Sequence, residues 1–98
     1  MSNDARPLLV FFSSQRSGPS RRMESLIAHI ARKERDRLRV VQVDVDQRAD
    51  LVRKLAVQNV PALVLVVDRK AVARIDGRAS APQIEAMLDA HLRPFVPA

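Results

Sequence analysis

The sequence predicts an α/β fold: a four-stranded mixed sheet with strand order 2-1-3-4, flanked by three helices. Three observations carry this. Leu8-Leu9-Val10-Phe11-Phe12 and Ala62-Leu63-Val64-Leu65-Val66-Val67 are short, continuously apolar runs, as expected of central strands covered on both faces. Val41, Val43 and Val45 alternate with Gln42, Asp44 and Asp46, the pattern of a strand with one wet face near a sheet edge. Between and after these runs lie segments whose apolar residues recur at helical spacing, so the order reads β-α-β-α-β-β-α.

Strand one is Leu8 to Phe12, and Ser13 to Gly18 is the polar turn that follows it. Helix one is expected from about Pro19 to about Arg35, because Pro suits a first helical position and Met23, Leu26, Ile27 and Ile30 form one apolar stripe. Strand two spans Leu38 to Val45, and helix two is brief, about Ala49 to Ala56, with Leu51, Val52 and Leu55 inward. Pro61 stands at the entrance to strand three, where a missing N–H is tolerated. A turn at Asp68-Arg69 closes a hairpin with strand four, Lys70 to Ile75. Ser80 can cap and Pro82 can start a last helix with Ile84, Met87, Leu88 and Leu92 inward, and Pro94 and Pro97 end the structured chain. Two successive crossovers through helices predict parallel pairing of strands one, two and three, and the hairpin adds an antiparallel edge.

Ninety-eight residues suit one domain, 1–98, with a structured core of about 8–92. No apolar stretch approaches a membrane span, and Met1 to Pro7 lacks the apolar core of a signal peptide, which points to the cytoplasm. There is no cysteine, so packing alone must hold the fold. The formal charge of +6 is uneven: residues 16–39 carry eight basic side chains against three acidic ones, and the rest of the chain nine against eight. A basic first helix can mark a polyanion partner, although a solvated outer face explains it more simply. Nothing in the sequence calls for a cofactor. His29 has no second ligand at metal spacing; Asp44 and Asp46 read as a polar strand face ending in a helix cap rather than as a metal or acid–base pair.

The junction between strand one and helix one is where an α/β fold keeps its chemistry. There Ser17-Gly18-Pro19-Ser20 resembles the Cys-Gly-Pro-Cys of the thioredoxin family with both sulfurs replaced by oxygen. Val43-Asp44-Val45-Asp46 resembles the family's strand ending before the second helix. Val60-Pro61-Ala62-Leu63 resembles the segment carrying its cis-proline, and Gly77 followed by Gln83 to Leu92 resembles its C-terminal helix. The resemblance spans about Leu8 to Leu92 and implies the thioredoxin fold with a cis Val60–Pro61 bond. It also implies that most of the family's N-terminal strand and helix are lacking, leaving strand two as an exposed edge.

The departures decide the chemistry. Thiol exchange needs a thiolate at a helix N-terminus and a second thiol to resolve the mixed disulfide, and serine supplies neither. Phe11 stands where the family carries a buried aspartate, and Ser13 and Arg16 match its usual tryptophans. A redox enzyme inactivated by Cys-to-Ser substitution would keep those surroundings, so a redox-inactive member is favoured over such a form. A serine hydrolase is disfavoured because neither His29 nor His91 falls near Ser17 or Ser20. The expected function is therefore protein or peptide binding through Arg16, Ser17, Gly18, Pro19, Ser20, Arg21 and Arg22 together with Val60 and Pro61, without enzyme activity. The helix start is also expected to attract an anion: N–H groups after Pro19 and the Ser17 and Ser20 hydroxyls would donate, beside the three arginines, unless Ser20 instead caps the helix. Nucleic-acid binding through helix one is disfavoured, since the chain has no Trp or Tyr for base stacking.

Overall fold

The structure, a computed structural model that describes residues 6–92, runs β1 (Leu8–Ser13), α1 (Gly18–Lys33), β2 (Arg39–Asp44), α2 (Ala49–Lys54), β3 (Ala62–Val67), β4 (Lys70–Asp76) and α3 (Ala81–His91). The sheet order is β2-β1-β3-β4, as expected. The expected stop at Pro94 and Pro97 lies outside the described residues, as do residues 1–5.

One pairing is a correction. β1 is parallel to β2, but β3 runs antiparallel to β1 rather than parallel. The cause is the length of the second connection. The six-residue α2 rises only about 9 Å, whereas a six-residue strand extends about 20 Å. The chain is therefore not carried back along the sheet, and β3 enters at the end where β2 leaves. The sixteen-residue α1 rises about 24 Å and does return the chain, which makes β1 and β2 parallel.

The alternation of side chains along β1 builds two cores. Leu9 and Phe11 point to one face, where Met23, Ile27 and Ile30 of α1 and Ile84 and Leu88 of α3 cover them. Val10 and Phe12 point to the other, with Val43, Val57, Ala62 and Val64. Phe11 and Phe12 are both fully buried, each worth about 1.5–3 kcal/mol of transfer free energy. On the first face, α1 and α3 are also tied by Lys33 to Glu85 at 2.7 Å and by Arg37, which bonds Glu34 and, at 3.1 Å, Asp89.

Local chemistry sets the element ends. Ser80 and Gln83 form a reciprocal capping box at α3, with Pro82 in the first turn. α2 ends in a Schellman motif: the Val57 N–H donates to Val52 O at 2.9 Å and the Ala56 N–H to Arg53 O at 3.2 Å, with Ala56 at φ 53°. Asp68 and Arg69 both have positive φ, 52° and 68°, as a two-residue type I′ hairpin requires. A β-bulge between Leu65 and Val66 follows in this hairpin, and Val72 is left partly exposed.

Candidate functional site

The register of the sheet gathers the predicted site at one end. Ser13 at the end of β1 pairs with Asp44 at the end of β2, and Phe12 pairs with Ala62 at the start of β3. The turn that continues from Ser13 and the Val60–Pro61 segment that precedes Ala62 therefore leave the sheet side by side.

Hydrogen bonds fix the turn. The Ser14 hydroxyl donates to Asp46 Oδ2 at 3.1 Å and accepts the Arg16 N–H at 3.2 Å, while the Ser17 N–H donates to Ser14 O at 3.0 Å. Asp46 thus anchors the turn. Asp44 Oδ1 accepts the Asp46 N–H at 2.9 Å, and the N-cap of α2 is Arg48, which makes no side-chain cap, so the expected helix-capping role is corrected. Ser13 is buried and its hydroxyl accepts from Gln42 Nε2 at 3.0 Å. That contact was not read from the sequence, although Gln42 on the polar face of an alternating strand was its available signal.

The two serines of the motif have different roles. Ser17 is the N-cap of α1, its hydroxyl accepting the Ser20 N–H at 3.1 Å, and the Arg21 N–H donates to Ser17 O at 3.1 Å. Pro19 has no N–H. Of the first-turn donors, Gly18 N–H alone is left without a backbone or cap acceptor among the described residues. Ser20 is fully buried, and its hydroxyl finds no partner among the protein's own atoms. This corrects two expectations: Ser20 neither caps the helix nor presents its hydroxyl to an external anion, because the third helical position turns it inward. Arg16, Arg21 and Arg22 are exposed, and the Arg22 guanidinium reaches back to within 3.9 Å of where a Cβ on Gly18 would sit. A shallow concavity of Gly18, Arg21, Arg22 and Glu24 lies beside the helix start and does not include Val60 or Pro61.

On the other side of this end, Pro61 is buried and the Val60–Pro61 peptide bond is cis. The Gly77 N–H donates to Pro61 O at 2.8 Å, with Gly77 at φ 85°, a backbone conformation that favours glycine. Val60 is only half-buried, and among the described residues its N–H and C=O make no backbone hydrogen bond. A concavity of about 290 Å³ formed by Ala56, Gln58, Asn59, Arg74 and Asp76 adjoins this segment. Arg74 shapes it by donating to Leu55 O and Ala56 O, each at 3.2 Å. The charged groups with shifted equilibria lie elsewhere: a hydrogen bond from Arg48 holds the Asp50 carboxyl below its usual range, and Glu85 raises the Lys33 ammonium. Among the described residues no cluster of three ligating side chains could hold a metal ion, and no helix is long and apolar enough to cross a membrane.

The site can be set against known proteins. The family profile described as Thioredoxin matches residues 1–90. The chain belongs to the thioredoxin family. It is 32% identical over 87 residues to a thioredoxin-like protein of Synechocystis sp., covering 89% of this chain and 80% of that one. To the thioredoxin of Acidithiobacillus ferridurans it is 31% identical over 88 residues, covering 90% and 82%. Among solved structures, the Fasciola hepatica thioredoxin superimposes with a TM-score of 0.81 at 28% identity, covering 89% of this chain and 82% of that one. The Nicotiana alata thioredoxin does so with 0.82 at 28%, covering 91% and 76%. The thioredoxin-fold expectation and the strand order are thereby established. Within this thioredoxin-family frame the chain has no cysteine; Ser17 supplies a capping hydroxyl and Ser20 a buried one.

Proposed function

We propose that this thioredoxin-family protein is a redox-inactive binding module that holds an extended peptide segment beside Val60 and Pro61. The observation that carries the reading is the backbone of Val60: an N–H and a C=O without backbone partners among the described residues, half-exposed at the end of the sheet where Pro61 fixes the chain. An extended segment pairing there satisfies both groups, as in strand addition. Arg16, Arg21 and Arg22 stand exposed at the same end and favour acidic residues in that segment. The absence of any thiol supports the lack of exchange chemistry.

The reading as a Cys-to-Ser form of an oxidoreductase is not favoured. Phe11 is fully buried among α1 and α3, so the position that resembles the family's aspartate serves packing, and Ser13 is bonded to Gln42. Nor is polyanion binding: Lys33 and Arg37 are already paired with carboxylates, and Phe11 and Phe12 are buried away from any base.

Fluorescence anisotropy with blocked, labelled hexapeptides of alternating Val and Glu, or Val and Lys, tests the reading at about 0.15 M salt. The acidic peptide is expected to bind more tightly, and the triple variant R16E/R21E/R22E to reverse the preference. Equal affinity for both peptides, or a labelled single-stranded DNA that outcompetes the acidic one at this salt, would overturn it.

A further inference from the structure

The two faces of the sheet are covered very unequally. On the α1 and α3 face thirteen residues form the buried cluster and five apolar neighbours are partly buried; on the α2 face six are buried and eight only partly. The reason is architectural. One face carries helices of sixteen and eleven residues, whereas the other carries the six-residue α2, which has no buried residue of its own. What remains is an apolar groove of about 320 Å³, floored by Val10, Val41 and Val43 and walled by Leu51 and Leu55. Its charged lining is Lys54 and Arg69, and among the described residues no acidic side chain lines it.

We propose that this groove is a second docking surface, and that its occupant is an amphipathic helix of another protein with Asp or Glu along the borders of its apolar stripe. A sheet face is covered most readily by a helix laid across it, as α1 and α3 cover the opposite face. The basic rim selects the partner's sign. It also disfavours a second copy of this chain, because a two-fold contact through the groove would bring Lys54 and Arg69 of two molecules, each of formal charge +6, against one another. The groove runs from Leu8, at the start of β1, to Val43, which pairs with Phe12 near the end of β1, and Val60 packs against the same apolar cluster. The two surfaces therefore adjoin at that end of the sheet, and the groove extends away from it toward Leu8, Val66 and Ala71. The groove does not rest on the reading of Val60 and Pro61, and each can fail without the other.

The test uses the whole chain with methyl-labelled Val and Leu and two designed helical peptides of about 18 residues. Both present the same Leu stripe, bordered by Glu in one and by Lys in the other. The Glu-bordered peptide is expected to shift the methyls of Val41, Val43, Leu51 and Leu55 and to bind at least about tenfold more tightly than the Lys-bordered one. The exposed double substitution K54E/R69E is expected to invert that order, and L51K to abolish binding of either peptide. Equal affinities, shifts confined to other surfaces, or a dimer of the protein alone that L51K disperses would each overturn the proposal.

Discussion

Ser17 and Ser20 look interchangeable in the motif, yet their environments predict stability effects of opposite sign. Ser17 accepts the Ser20 N–H as the cap of α1, so Ser17→Ala is expected to cost about 1 kcal/mol. Ser20 buries a hydroxyl with no partner among the protein's atoms, so Ser20→Ala is expected to stabilise by about 1 kcal/mol. Urea denaturation of the two single variants distinguishes them, and a loss of stability in both would show that Ser20 makes a bond worth keeping. At this scale the sequence was legible where a residue's role is set by its neighbours in the chain. Ser80 and Pro82 were read correctly because a capping box is a local pattern. Ser14, Gln42 and Asp46 were not assigned their contacts, because each is fixed by a bond across 29 to 32 residues of chain. Ser20 was misread for a related reason: only the packing beneath α1 shows that its hydroxyl points inward.

Among the elements, α2 departs furthest from a regular design. Its Schellman ending places Ala56 at φ 53°, a region that costs a residue with a Cβ about 1–2 kcal/mol. Part of that is offset by the greater backbone freedom glycine has when unfolded. Ala56→Gly is therefore expected to raise stability by about 0.5–1 kcal/mol, measurable as a higher urea midpoint with an unchanged slope. A lower midpoint would place the Ala56 methyl in a contact worth more than the strain. The direction of β3 is the element-scale feature the sequence did not yield. Apolar runs and their lengths gave the strand positions and their neighbours, since central strands are apolar throughout and edge strands alternate. Direction depends instead on whether the connecting helix is long enough to bring the chain back, and the expected Ala49 to Ala56 overestimated an α2 that ends at Lys54.

At the scale of the whole molecule, a thioredoxin-family frame carries no cysteine. The double variant S17C/S20C is expected to reduce insulin poorly at best, because Phe11 fills the core at the position resembling the family's buried aspartate. Rates equal to those of a cysteine-bearing thioredoxin from that variant would show that the surroundings were never altered. The frame itself was legible because four landmarks fall in order along the chain, whereas the thinly covered α2 face was not, since covering depends on how the elements pack. If the preserved feature is a peptide-pairing edge, its signature belongs to one amide. Hydrogen exchange of the Val60 N–H, followed by NMR with and without the acidic Val-Glu hexapeptide, tests this most directly. The Val60 amide is expected to exchange rapidly in the free protein, where it has no backbone partner, and to become protected when the peptide binds. A Val60 amide already slow in the free protein, or one still rapid at saturating peptide, would contradict it.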